Sequence, residues 1–179
     1  MKQHYFIQIT LLFSLLLYSL ILTAQEQKSD SAEIVYTSYS DEPKVLFEFY
    51  FDEPQKIYSA LFWIRSYMNT LMAEPYGVAP ELMDIIVVIH GTEIVTMVKK
   101  NQKKYKNIID RISYYEQLGV QFRVCMDAAN EYGYRPDDFP SFIKLVPSAM
   151  VELAHWQSLG YPLIRPIVYE KKYSIEDIR

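Results

Sequence analysis

Cys125 is the only cysteine in the chain, and its thiol is the side chain best suited to chemistry. It follows the alternating run 120–124, which is typical of a strand, and precedes residues 126–132, which can form a short helix. In open parallel α/β sheets, ligands and reacting groups collect at the carboxyl ends of strands, near helix N-termini. Helix amides and the nearby Arg123 favour a thiolate, whereas Asp127 opposes it. We therefore expect Cys125 to point to the more polar side of its strand, as a nucleophile reachable from solvent. A buried structural cysteine is the alternative interpretation.

His90 is the second candidate for chemistry. It ends the apolar run 84–90, so it and Cys125 are predicted to open onto the same edge of the sheet. A histidine there could transfer a proton or pair with a thiolate, or it could simply cap local backbone. We assign His90 and Cys125 to catalysis.

Other site chemistries lack their residues. Only His90 and Cys125 could plausibly meet, and two ligands are too few for a closed zinc site. The chain has no G-x-S-x-G motif and no glycine-rich phosphate loop. The sequence therefore predicts neither a metal nor a cofactor.

The N-terminus predicts export. Lys2 precedes the apolar run 6–22, and a small residue, Ala24, then precedes a polar stretch, which is typical of a signal peptide over residues 1–24. An uncleaved membrane anchor is the alternative, because the run approaches the length of a transmembrane helix. We expect a periplasmic or secreted protein. A single cysteine cannot form an intrachain disulfide, and a net charge of -4 disfavours a nucleic-acid partner.

The remaining pattern predicts an α/β fold with three layers around a mostly parallel sheet of about five strands. Residues 25–43 are polar and predict a flexible linker, the domain follows over 44–166, and residues 167–179 form a charged tail. Strands are predicted at 44–51, 84–90, 120–124, 142–146 and 161–166, and helices at 57–73, 93–99, 105–118 and 149–159. Gly119 is expected to close the third helix, and two prolines place the last strand at an edge.

Four segments resemble the DsrE/DsrF-like family: VVIHG at 87–91, GVQFRVC at 119–125, VPSAMVEL at 146–153 and GYPLIRP at 160–166. The resemblance implies a flavodoxin-like sandwich assembled as trimers or hexamers. In the sulfur-relay members, the cysteine at the position of Cys125 carries sulfur as a persulfide. His90 matches a histidine after the second strand of exported relatives, and we assign Arg123 and Gly91 to substrate binding. Residues 126–132 differ from the small, often basic run of the tRNA-thiolation members, so that substrate is not implied.

The sequence thus supports three hypotheses. The leading one is an exported, homo-oligomeric sulfur carrier or sulfurtransferase that uses Cys125 with a small sulfane-sulfur donor or a thiol acceptor protein. The second is a non-catalytic oligomeric binding module in which Cys125 only packs. The third is a redox partner that forms a mixed disulfide through Cys125.

Overall fold

A computed structural model describes residues 31–39 and 42–179 of the chain. Within these residues, five strands form one parallel sheet: β1 (Lys44–Phe49), β2 (Asp84–Ile89), β3 (Gln121–Cys125), β4 (Lys144–Val146) and β5 (Leu163–Ile164). Their spatial order is β4-β3-β2-β1-β5. The helices between them are α1 (Lys56–Met72), α2 (Lys106–Gln117), α3 (Met126–Glu131) and α4 (Ala149–Ser158), and α5 (Ile175–Ile178) follows in the tail. This is the predicted α/β sandwich.

The central strands are apolar on both faces because both faces are covered. Every residue of β1 and β2 after the first is buried, and parallel register sets Phe47 beside Val87 and Val87 beside Phe122. Apart from Glu48 in β1, these are the apolar runs typical of parallel strands that lie between two layers of helices.

Helices α1 and α2 cover one face of the sheet. In α1 the buried residues recur at spacings of three and four, which gives the helix one apolar stripe; they are Ile57, Ala60, Leu61, Ile64, Met68 and Leu71. In α2, Ile108, Ile112 and Tyr115 form the equivalent stripe. Both stripes belong to the larger apolar cluster of the domain, which also contains Phe47 and Phe122.

Helix α4 covers the opposite face, and the order of the strands explains why. The chain steps from β1 to β4 in one direction and then crosses back to place β5 on the far side of β1. Because such crossovers are right-handed, reversing their direction moves the connecting helix to the other face. A second, smaller apolar cluster forms there and contains Leu46, Ile86, Val88, Cys125, Ala149 and Leu153. We call this side of the sheet the α4 face.

Several predicted boundaries change. The predicted helix at 93–99 is instead a 3-10 turn, Thr92–Thr96, followed by a second one at Lys99–Asn101. Strand β3 extends to include Cys125, because that residue continues the ladder and pairs with Val146. Strands β4 and β5 are shorter than predicted, and β5 lies at the sheet edge, which confirms the expectation drawn from its prolines. Gly119 has φ 95°, the left-handed conformation expected of the residue that closes α2.

The described residues at the two ends of the chain, 31–39 and 167–179, carry little regular structure. The predicted signal peptide at 1–24 lies outside the described residues. Residues 31–37, which form a unit separate from residues 38–179, are exposed and have no helix or strand. In the tail, Ser174 caps the short helix α5, whose residues are all exposed. Within the described part of the chain, no helix combines the length and apolar character needed to cross a membrane.

Candidate functional site

The sulfur of Cys125 lies at the point where β3 ends and beneath the start of α4. The main-chain N–H of Ala149 donates a hydrogen bond to Sγ over 3.2 Å. Ala149 is the first residue of a ten-residue helix, so its N–H is one of the groups that the helix itself cannot pair. A sulfur in this position meets the positive end of the helix dipole, which stabilises negative charge.

The prediction that Cys125 is reachable from solvent is wrong in this conformation. Its residue is 4% exposed and packs with Leu46, Val88, Ala149 and Leu153. The alternation along β3 does place the side chain on the same face as Gln121 and Arg123. However, α4 crosses that face and converts its upper part into an apolar layer, so the cysteine does not point to a polar side.

Arg123 is committed to α4 and not to the thiol. Its Nε donates to Oε2 of Glu152 over 2.7 Å, and its guanidinium lies 5.3 Å from the ring centroid of Trp156. The indole N–H of Trp156 donates to the same carboxylate oxygen over 2.9 Å. Burial alone would raise the pKa of Glu152, but the hydrogen bonds from Arg123 and Trp156 outweigh it and hold that pKa below its ordinary value. The assignment of Arg123 to substrate binding stays a prediction.

His90 belongs to a polar cluster on the α4 face. Its Nε2 lies 2.9 Å from Oε1 of Glu48, while Nε of Arg165 donates to Oε2 of the same carboxylate over 2.7 Å. The imidazole stacks on Tyr50, with ring centroids 4.7 Å apart and planes 11° apart. The Glu48 side chain is only 4% exposed and that of His90 is 11% exposed, whereas Arg165 is 63% exposed. The cluster therefore opens to solvent through Arg165.

Gly91 holds the loops after β1 and β2 together. Its N–H donates to Oε1 of Glu93, whose Oε2 accepts the N–H of Phe51. A Cβ at Gly91 would lie 2.5 Å from both Glu93 Oε2 and Phe51 N, so no larger residue fits. Glu93 is fully buried; burial raises the pKa of its carboxyl, although the two N–H donors oppose that shift. The structure gives Gly91 this packing role, and its assignment to substrate binding stays a prediction.

The parallel register brings His90 and Cys125 to the same edge. Each lies one step beyond the last registered pair of its strands, Ile89 and Val124, and both side chains are on the α4 face. Adjacent strands are about 5 Å apart, so the two residues are neighbours. Their contacts nevertheless diverge, because His90 binds Glu48 on β1 and Cys125 binds Ala149 beyond β4. Among residues 31–39 and 42–179, no hydrogen bond joins them.

Sequence reasoning missed the three carboxylates that hold these side chains, Glu48, Glu93 and Glu152. Glu48 had a usable signal, because a charged residue inside an apolar strand must find a partner when the sheet is covered on both faces. Because side chains alternate along a strand, Glu48 in β1 also lies on the same face of the sheet as His90 after β2. Glu93 and Glu152 lie in a turn and on a helix, where a carboxylate is ordinary, so their partners follow only from the tertiary structure.

Two clefts lie elsewhere on the domain. One of about 600 Å³ between the starts of α1 and α2 has Tyr58, Lys103, Lys104 and Lys106 in its lining, and another of about 500 Å³ contains Trp63. Neither is lined by Cys125 or His90. Within the described residues, no group of three or more His, Cys, Asp or Glu could hold a metal ion. The candidate site is thus defined by side-chain contacts at the sheet edge.

The five-stranded parallel sheet with helices on both faces is a three-layer α/β sandwich, consistent with a flavodoxin-like fold, and it carries a thiol at the carboxyl end of β3. A family model described as the DsrE/DsrF-like family matches residues 44–166. The chain belongs to that family, since the match spans most of its length.

The chain is also similar to two solved structures. A protein of unknown function from Methanobacterium thermoautotrophicum is 19% identical, with a TM-score of 0.56 over 69% of this chain and 99% of that one. A conserved protein of unknown function from Bacteroides thetaiotaomicron is 12% identical, with a TM-score of 0.47 over 73% of this chain and 100% of that one. The first likeness shows the fold alone, and the second is too low to carry an argument. No curated protein matches the chain.

Proposed function

We propose that the protein is a sulfur carrier in which Cys125 takes up a sulfane sulfur as a persulfide. The observation that carries the proposal is the hydrogen bond from the Ala149 N–H to Sγ at the start of α4. A thiolate is the form of cysteine that attacks sulfur, and a helix N-terminus stabilises it. Membership of the DsrE/DsrF-like family supports the same chemistry, since the family suggests a sulfur-relay type of function.

The reaction needs two thiol exchanges. In the first, the Cys125 thiolate attacks the outer sulfur of a donor R–S–SH, the donor S–S bond breaks, and its electron pair leaves with R–S⁻, which takes up a proton. In the second, an acceptor thiolate attacks the outer sulfur of the Cys125 persulfide. The S–S bond breaks, and its electron pair returns to Sγ, where the Ala149 N–H receives the restored negative charge.

Burial limits how the donor reaches the sulfur. With 4% of the residue exposed, the sulfur can react only when part of this layer opens. We infer that the start of α4 opens, because Ala149 contacts the sulfur and the next two residues, Met150 and Val151, are both more than half exposed. We therefore propose a small sulfane-sulfur donor or a thiol acceptor that displaces the first turn of α4.

Export and assembly are part of the same proposal. Cleavage after Ala24 would deliver the domain to the periplasm or the exterior, where a lone cysteine has no intrachain partner. We propose a homo-oligomer, a trimer or hexamer, on the resemblance to the family. N-terminal sequencing of protein recovered from the periplasm of a Gram-negative host tests cleavage, and sedimentation equilibrium tests assembly. A protein that retains Met1, or that sediments as a monomer, would contradict the respective statement.

A second candidate function is a binding module in which Cys125 only packs. The observation that favours it is the apolar surroundings of the sulfur, formed by Leu46, Val88 and Leu153. Buried cysteines of this kind behave as small apolar residues.

Mass spectrometry separates these functions. The purified protein and its Cys125→Ser variant are incubated with polysulfide, thiosulfate or glutathione persulfide and then measured intact. A gain of one sulfur atom in the wild type alone supports the carrier. No adduct under any donor favours the packing role, and a glutathione adduct without extra sulfur favours a redox partner.

A further inference from the structure

The Glu48 carboxylate is buried in the sheet yet has both oxygens occupied. Oε1 is paired with Nε2 of His90 at 2.9 Å and Oε2 with Nε of Arg165 at 2.7 Å. Its side chain is 4% exposed, so this carboxylate depends on these two partners for its solvation.

These contacts select one tautomer of His90. A carboxylate paired with a guanidinium can only accept hydrogen bonds, so the hydrogen between Glu48 and His90 must reside on Nε2. In the neutral imidazole the other nitrogen, Nδ1, is then without a proton and is the basic atom of the ring.

Stacking fixes the plane of the same ring. Tyr50 lies 4.7 Å from the imidazole, centroid to centroid, and nearly parallel to it. Tyr50 is itself 65% exposed, so its ring covers the imidazole from the solvent side and is not part of the domain core. The imidazole is thus held at its edge by Glu48 and on its face by Tyr50.

We propose that Glu48 is a positioning residue that holds His90 as the proton-transfer group for the thiols that exchange sulfur with Cys125. The inference rests on the proposed function, because it assigns a role within that reaction. It follows from three facts: His90 and Cys125 end neighbouring strands on one face, Cys125 receives its hydrogen bond from Ala149 rather than from His90, and His90 retains a basic nitrogen.

The proton step completes the exchange. An acceptor R–SH gives its proton to Nδ1, and the thiolate so formed attacks the outer sulfur of the Cys125 persulfide. The S–S bond of the persulfide breaks and its electron pair goes to Sγ, which stays a thiolate beside the Ala149 N–H. The imidazolium gives its proton to the R–S⁻ that leaves when Cys125 is next loaded with sulfur. Glu48 stabilises the imidazolium while it carries the positive charge.

The test measures the rate of sulfur transfer and the tautomer of His90 separately. Full-length protein is loaded with polysulfide, freed of donor, and mixed with dithiothreitol, and the loss of one sulfur is followed by intact mass. The variants are Glu48→Gln, His90→Gln and the double variant, with Glu81→Gln as the matched control at an exposed glutamate. Tyr50→Leu changes a side chain that is 65% exposed, so it tests the stacking contact in a variant that should still fold. Imidazole ¹⁵N shifts report the tautomer.

We expect the proton of the neutral His90 ring to be on Nε2 in the wild type and to be shared between both nitrogens in Glu48→Gln. Sulfur transfer to dithiothreitol should be about tenfold slower in both Glu48→Gln and His90→Gln. The double variant should be no slower than His90→Gln, because both changes remove one function. Tyr50→Leu should slow transfer, and Glu81→Gln should not. Unchanged transfer in Glu48→Gln, additive losses in the double variant, or an Nδ1–H tautomer in the wild type would overturn the inference. A wild type that never acquires sulfur would instead overturn the proposed function.

Discussion

The N–H of Ala149 and the sulfur of Cys125 join the end of β3 to the start of α4 across 24 positions of sequence. The bond gives a helix N-terminus an acceptor that Ser148 does not supply, since the Ser148 side chain makes no capping hydrogen bond. One contact therefore both caps α4 and gives the sulfur a hydrogen-bond donor. In the proposed carrier, the reactivity of the thiol would be coupled to the stability of the first turn of that helix.

Alkylation of Cys125 should report opening of this layer. In the native protein the thiol should react with iodoacetamide at least about tenfold more slowly than in urea, because reaction requires local opening. Leu153→Ala removes an apolar neighbour of the sulfur, so alkylation should accelerate several-fold and the free energy of unfolding should fall by about 2–3 kcal/mol. Intact mass against time and urea titration provide the two measurements.

The control for this prediction is Leu159→Ala. Leu159 follows α4 and is half exposed, so its loss should change neither quantity by a measurable amount. Equal alkylation of native and unfolded wild type would show that the sulfur is open in solution and would remove the basis of the coupling.

Gly91→Ala should destabilise the domain severely. The new Cβ would lie 2.5 Å from the Glu93 carboxylate and from the N–H of Phe51, and both belong to a tight contact. We expect a loss of about 3 kcal/mol or more in the free energy of unfolding, measured by urea titration. Gly133→Ala is the comparison, because Gly133 has φ 72° but open space around it. It should cost only about 1 kcal/mol from backbone strain, and equal losses would contradict the steric argument.

Glu93→Gln isolates the hydrogen-bond role of the carboxylate. Both oxygens of Glu93 accept main-chain N–H groups, from Gly91 and Phe51, whereas a glutamine offers one oxygen and one amide donor. One N–H would then face another donor in a buried site, which should cost about 2 kcal/mol. Thermal unfolding of this variant beside Glu81→Gln checks the value, and a loss no larger than that of the exposed control would refute it.

The fold could be predicted because the strands are apolar runs between helices with clear periodicity. The lone glutamate inside β1 could also have been recognised as a residue in need of a partner. The burial of Cys125 could not be predicted, because it depends on where β5 joins the sheet. The two prolines predict that the last strand lies at an edge of the sheet, but they do not say at which edge. Because β5 pairs with β1, α4 crosses the face of the sheet that carries the thiol. The pairing of Arg123 with Glu152 follows from the same crossing.

Glu152 should make the stability of the domain depend on pH. Hydrogen bonds from Arg123 and Trp156 outweigh its burial and lower its pKa in the folded state, so its contribution is present above the ordinary value of 4.5 and lost as pH falls through the lowered one. At pH 7, Glu152→Gln should reduce the free energy of unfolding by about 1 kcal/mol, and the difference from wild type should shrink as the pH falls below 4.5. Urea titrations at each pH measure it, with Glu176→Gln in the exposed tail as the control. A difference that stays constant, or that grows towards acid pH, would mean that the ion pair with Arg123 does not hold in solution.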